Sequence, residues 1–304
     1  MPRSPRLALI AGLVLGLALG GSADTPGDGV TRFVWAAEDP LFGGLSALEM
    51  SEDGRSVTVL SDRGAWTRGR VIRDAQGHIL DIRTEPMRLL RGRGAEPLAR
   101  RRNDSEGLAL APDGTAHVSF EGAARVLRYP DLSGPAENLP VHPDFALMQR
   151  NSALEALAVD AGGAIYTLPE RSGSATRPFP VYRYRDGVWS QPFAVPRRGS
   201  FLIVGADFGP DGRLYLLERR FRGLLGFASR VRRFTLGPEG IAAEEMVFET
   251  RSGRFGNLEG ISVWHAPGGG TVLSLVADDN FLFLLRTELV EVRLPRLTGG
   301  PLRE

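Results

Sequence analysis

The sequence predicts an all-β fold, a β-propeller of five four-stranded blades closed by an N-terminal strand in the last blade. Three observations predict it. Five segments share one plan: an apolar stretch, a Gly-containing turn, a second apolar stretch, then an acidic residue. Aligned on the turn, their first strands begin at Ser46, Glu106, Glu155, Val204 and Glu259, at spacings of 60, 49, 49 and 55 residues. That period suits a propeller blade and not a helical repeat. Finally, apolar and polar residues alternate between the turns, as in half-buried antiparallel strands, and no stretch beyond the N-terminal leader sustains a 3.6-residue period.

Each element follows from its own residues. The first unit is GGLSALEMSEDGRSVTVLSDRG from Gly43, the second NDSEGLALAPDGTAHVSFEG from Asn103, the third NSALEALAVDAGGAIYTLPER from Asn151. The fourth is VGADFGPDGRLYLLER from Val204, and the fifth GNLEGISVWHAPGGGTVLSLVADDN from Gly256. Asp53, Asp113 and Asp211 precede turn glycines and read as turn residues. Outer strands follow the hairpins: Pro180 to Arg185 and Val188 to Val195 in the third unit, Arg230 to Leu236 and Ile241 to Thr250 in the fourth. Phe145 to Arg150 reads as a short helix. The fifth unit has only one further strand, Thr287 to Leu294, so Val30 to Trp35 is expected to complete it and hide the ring's edges. The long first unit leaves room for a sixth, degenerate blade. A β-sandwich would suit the strands but not the repeat.

Residues 1–23 read as a signal peptide. Arg3 and Arg6 form a basic start, Leu7 to Gly20 an apolar run, and Gly21-Ser22-Ala23 a small-residue cleavage site after Ala23. The run is shorter than the roughly 20 residues of a spanning helix, and no later stretch is long enough. The expected product is one soluble domain, residues 24–304, exported by the Sec route to the periplasm or medium, and monomeric. All 37 basic residues are Arg, against 36 acidic ones, and there is no Cys. The balanced charge argues against a nucleic-acid partner. The missing Cys excludes disulfides, thiolate metal sites and Cys nucleophiles. The missing Lys excludes Schiff-base chemistry and a Walker phosphate site.

The acids are placed to converge. Strands one and two of a blade form the hairpin nearest the axis, so the start of one and the end of the other share one end. Strand-one starts carry Glu106, Glu155 and Glu259; strand-two ends carry Asp62, Glu121, Glu170, Glu218 and Asp278 or Asp279. Two carboxylates about 6 Å apart repel by about 3 kcal/mol at an effective dielectric near 20. A cation must neutralise such a ring, or some of its members must hold protons. Oxygen ligands suit calcium or magnesium better than zinc, and calcium is the ion an exported protein meets. Some of these acids can instead brace neighbouring blades. Arginine follows the acid in three units, at Arg63, Arg171 and Arg219, where it can grip phosphate or anchor its neighbour.

The phrases FGGLSALEMSEDG, LSDRG, NDSEGLAL, VSFEG, LEALAVD, LLERRF, NLEGISV and ADDNF, in this order, resemble the phytase-like, or "esterase-like activity of phytase", family of bacterial exported proteins. The resemblance runs from Phe42 to about Leu294. It implies a propeller with phosphoester-hydrolase activity and marks Asp62, Glu106, Glu121, Glu155, Glu170, Glu218, Glu259, Asp278 and Asp279 as the family's acids. The fourth unit departs from the pattern, with Val204-Gly205 where an acid is usual and Asp207 a few residues later. Two functions remain open. In one, the protein hydrolyses phosphoesters or related esters with a divalent cation, Glu106 or Glu155 handling water and Arg171 and Arg219 stabilising phosphoryl charge. In the other, it is a non-catalytic propeller that binds a ligand or partner, its metal purely structural.

Overall fold

The computed structural model describes residues 29–99, 102–149, 152–279 and 286–295. The expected signal peptide and its cleavage site lie outside them. The strands form five antiparallel sheets, one per repeat unit. The first blade is β2 (Leu45–Met50), β3 (Ser56–Ser61), β4 (Ala65–Arg73) and β5 (Ile79–Thr84), with β6 (Arg88–Leu89) pairing beside the start of β4. The second is β7 (Ser105–Leu110), β8 (Ala116–Phe120), β9 (Arg125–Tyr129) and β10 (Glu137–Asn138). The third is β11 (Leu154–Val159), β12 (Ile165–Pro169), β13 (Phe179–Arg185) and β14 (Val188–Val195). The fourth is β15 (Leu202–Phe208), β16 (Leu214–Phe221), β17 (Phe227–Gly237) and β18 (Gly240–Glu249). The fifth is β19 (Asn257–His265), β20 (Thr271–Asp278), β21 (Glu288–Arg293) and, from the other end of the chain, β1 (Val30–Val34).

The ring is therefore five-bladed and closed as the sequence predicts. β1 runs antiparallel to β21 from Val30 opposite Val292 to Val34 opposite Glu288, and Trp35 N donates to Thr287 O at 2.9 Å. The extra length of the first unit goes into β6 and the segment after it, and no sixth sheet forms among the described residues. The short helix near residue 145 is a 3-10 turn over Pro143–Leu147.

Local chemistry sets the inner hairpins. Asp53, Asp113, Asp160 and Asp211 each accept from a backbone N–H two residues on, at 2.9 to 3.2 Å, closing the turn before its glycine. The core consists of five apolar slabs, one between each pair of neighbouring blades. Leu60 and Trp66 of the first blade meet Val118 and Phe120 of the second, for example. Leu168 and Phe179 of the third meet Leu216 and Phe234 of the fourth. Each blade is thus buried on both faces, which is why its inner strands read as nearly continuous apolar runs.

Candidate active site

In all five inner hairpins the ladder slips at the same place. The slips fall between Leu45 and Ala47, Ser105 and Leu108, Leu154 and Ala156, Ile203 and Gly205, and Leu258 and Gly260. Ser46, Glu106, Glu155, Val204 and Glu259 are therefore bulge residues. A bulge leaves one residue unpaired and re-aims its side chain. Here all five line one axial void of about 10 Å³, room for a single water.

The residues after the bulges are small: Ala47, Gly107, Ala156, Gly205 and Gly260. A Cβ on Gly107 would stand 2.6 Å from Leu157 Cβ, and one on Gly205 2.7 Å from the Glu259 carbonyl oxygen. The inner strands touch backbone to backbone at this layer, so the axis is a mouth above a closed waist.

The strand-two ends complete the mouth. The residues opposite Leu45, Ser105, Leu154, Ile203 and Leu258 are Ser61, Phe120, Pro169, Glu218 and Ala277. One residue further on stand Asp62, Glu121, Glu170, Arg219 and Asp278. The fourth blade thus puts Arg219, not Glu218, into the ring. Glu218 is fully buried one position earlier, with its oxygens held by Arg230 and Arg232 of β17. The signal was present in the sequence. Counted from the turn glycine, Glu121, Glu170 and Arg219 all lie seven residues on, after Gly114, Gly163 and Gly212.

One arginine among acids divides the mouth. Arg219 Nη1 donates to Asn257 Oδ1 at 2.6 Å and to Glu259, and its Nη2 donates to Glu170 Oε1 at 3.3 Å. Burial weakens the Arg219 charge, but Glu259, Glu155 and Glu170 more than restore it, so its proton is held more firmly than usual. Arg171 Nε lies 3.3 Å from Glu170 Oε2 and donates to Ser152 Oγ at 3.0 Å. Burial still drives Glu155 well above the usual carboxylate range, although Arg219 pulls the other way.

The opposite half carries the excess acid. Asp104, Glu106 and Glu121 each bring a carboxylate oxygen within 4.8 Å of the others, close enough to share one cation. Burial, and then Glu155, Glu259, Glu121 and Asp104, drive Glu106 well above its usual range. Burial lifts Glu121 to about 7, offset in part by its hydrogen bond with Glu155. Asp62 is lifted to about 6 by burial against the pull of Arg63, and Asp104 is also raised by burial. All-oxygen donors in a negatively charged, partly wet cluster fit a hard divalent cation such as calcium.

Asp104 and Asn257 were not singled out in the sequence, yet both stand two residues before a bulge glutamate, in NDSE and GNLE. Asp279 serves as a brace: its Oδ1 accepts from Gly44 N at 2.9 Å and its Oδ2 from Thr287 Oγ1 at 3.0 Å, tying the fifth blade to the first. Asp278 is buried opposite Asn257 in the β19–β20 ladder. Asp207 does not replace the acid missing at Val204. It lies beyond the waist, where it accepts from Val263 N at 2.6 Å and faces Glu49 around the Ser262 hydroxyl. Burial raises both carboxyls, Asp207 to about 7.

Beside the arginine half opens a cavity of about 850 Å³, bounded by Glu170, Arg171, Arg219, Glu259 and the β16–β17 hairpin. Acids, a tethered arginine and an open cavity thus lie side by side above a closed waist.

In fold the chain is similar to a solved structure described as glucose dehydrogenase, with 13% identity, 82% of each chain covered and a TM-score of 0.41. It is also similar to a protein of unknown function from Dyadobacter fermentans DSM 18053, with 13% identity over 90% of this chain and 88% of that one and a TM-score of 0.45. A third is catalytically inactive virginiamycin B lyase from Staphylococcus aureus with quinupristin, with 13% identity, 89% of each chain covered and a TM-score of 0.42. No curated protein matches the chain by sequence. Residues 40–281, which contain every acid of the mouth, match the phytase-like family described as "Esterase-like activity of phytase", and the chain belongs to that family.

Proposed function

We propose that this chain is an exported hydrolase of phosphoesters or related esters that works at the acidic mouth with a divalent cation, calcium first among candidates. The observation that carries the reading is the convergence of Asp104, Glu106 and Glu121 beside the Arg219 half of the same ring. Those three carboxylates would hold the cation, which when bound supplies Lewis acidity toward a phosphoryl or acyl oxygen.

The other roles fall to the chain itself. Burial raises the proton affinity of Glu155, and a cation held by the neighbouring Glu106 and Glu121 would favour its carboxylate form, the form that acts as a base. Glu155 takes a proton from the attacking water at a carboxylate oxygen and returns it to the leaving alcohol. Glu121, hydrogen-bonded to Glu155, positions that oxygen. Arg219 is engaged by Glu259, Asn257 and Glu170, so it orients the acids, while Arg171, Arg220 and Arg222 of the same cavity meet the anionic group. The waist keeps bulk water from passing through. Export rests on residues 1–23, which read as a signal peptide.

The test is hydrolysis of p-nitrophenyl phosphate, bis-p-nitrophenyl phosphate and p-nitrophenyl acetate by the calcium-loaded mature protein. At least one should be cleaved and protected by chelation, with Glu155→Gln lowering kcat about 10²-fold. Asp113→Asn, in an exposed turn, should leave the rate unchanged. No turnover on any of the three sinks the hydrolase reading and leaves a ligand-binding propeller with a structural metal.

A further inference from the structure

The 850 Å³ cavity has walls of two kinds. One is cationic, built by Arg171, Arg220 and Arg222. The Arg220 Nε atom is buried with no acceptor among the described residues, and its guanidinium stacks 4.5 Å over the Phe201 ring. Arg220 forms no ion pair among the described residues, so its guanidinium keeps its charge for an anion in the cavity.

The other wall is apolar and comes from an overgrown hairpin. β16 and β20 have 8 residues each, where β3 has 6 and β8 and β12 have 5; β20 ends at its ring residue Asp278, whereas β16 runs past Arg219 to Phe221 and β17, its partner, has 11. The surplus carries the hairpin beyond the ring, through Phe221 paired with Phe227, to a 3-10 turn over Gly223–Leu225. Phe221 and Leu225 line the cavity yet are 65% and 62% exposed, and Leu224 at the tip is fully exposed. Single exposed apolar residues are ordinary, but three within five positions on the rim of a cationic cavity form a patch. A small polyanion would use the arginines and leave this lip bare.

We propose that the site takes an amphiphilic anion, an ester of phosphate with an apolar alcohol. Its phosphate lies against Arg171, Arg220 and Arg222, and its chain or ring on Phe221, Leu225 and Phe227. That the ligand is an ester rests on the hydrolytic reading above; that it pairs an anion with an apolar chain rests on this cavity.

Calorimetric titration of the mature protein with methylphosphonate, octylphosphonate and octanol separates the two walls, because phosphonates bind without being cleaved. Each fully buried methylene is a factor of about four in affinity, so even partial burial should make octylphosphonate at least about ten-fold tighter than methylphosphonate. Octanol should show no binding. Replacing Phe221 and Leu225 together by Ser, both exposed and outside the slabs, should cut the octyl advantage below about three-fold without changing methylphosphonate affinity or the melting temperature. Arg222→Gln should weaken both phosphonates alike. Equal affinity for the two phosphonates, no binding of either, or an octyl advantage that survives the lip substitutions overturns the inference. The hydrolase reading fails separately: octylphosphonate bound with no ester cleaved removes catalysis but keeps the ligand class, whereas cleavage indifferent to chain length does the reverse.

Discussion

Glu170 and Glu218 look interchangeable in sequence, each near the end of a second strand and each followed by arginine. Their fates differ because of residues further along the chain. Arg230 and Arg232, on the next strand, reach Glu218 and enclose it, whereas Glu170 meets Arg219 from the neighbouring blade. Neither the strand end nor the arginine that follows carries that information, so the acids as a set were legible while their division into ring members and braces was not read from those two signals. The offset from the turn glycine does carry it, since it marks Arg219 as the ring residue from the sequence alone. The division is measurable. Glu218→Ala leaves the buried Arg230 without a carboxylate and Arg232 with Glu244 alone, and should cost about 3 kcal/mol, a fall in Tm of roughly 10 °C. Loss of Glu170, which borders the open cavity, should cost much less. A Glu218→Ala protein that melts with the parent would refute the brace.

At the scale of elements, the turns and strands were readable because Asp-Gly turns and alternation are local. The five bulges were not. Each repeat carries its extra residue at the same point, so the spacing between repeats is unchanged and an alignment on the turns hides it. Yet the bulge is what turns Glu106, Glu155 and Glu259 toward the axis. The closing strand was legible by counting, since the fifth unit lacked a partner for Thr287 to Leu294. Val30 and Trp35 are buried against the fifth blade, worth about 5 kcal/mol between them before any ladder bonds. A chain that begins at residue 36 should therefore melt roughly 10 °C or more lower, or aggregate through the bared edge of β21. Retention of the parent Tm in a monomeric truncation would show that β1 is dispensable.

Across the whole molecule, buried carboxyls set an unusual dependence on pH. Asp62 titrates near 6, and Glu121 and Asp207 near 7, against about 4 in the unfolded chain. Between about pH 4 and 7 the folded state binds more protons, so stability falls as pH rises, by up to about 1.4 kcal/mol per pH unit for each fully buried group. His117, lowered to about 4 by burial, acts in the opposite sense below about 6.5 but is a single residue. In chelator, Tm should therefore rise on going from pH 7.5 to 5.5. Calcium should raise Tm at pH 7.5 and shrink that difference, because it replaces protons at Asp104, Glu106 and Glu121. Asp207→Asn, beyond the waist, should shrink it further with calcium present. A Tm that falls with acid in chelator would contradict the picture. The waist itself has a kinetic consequence. A chamber with one door admits and discharges by the same threshold, so no ligand leaves behind an arriving one. Each departing molecule obstructs the next, and whatever the mouth releases should inhibit competitively against whatever it accepts.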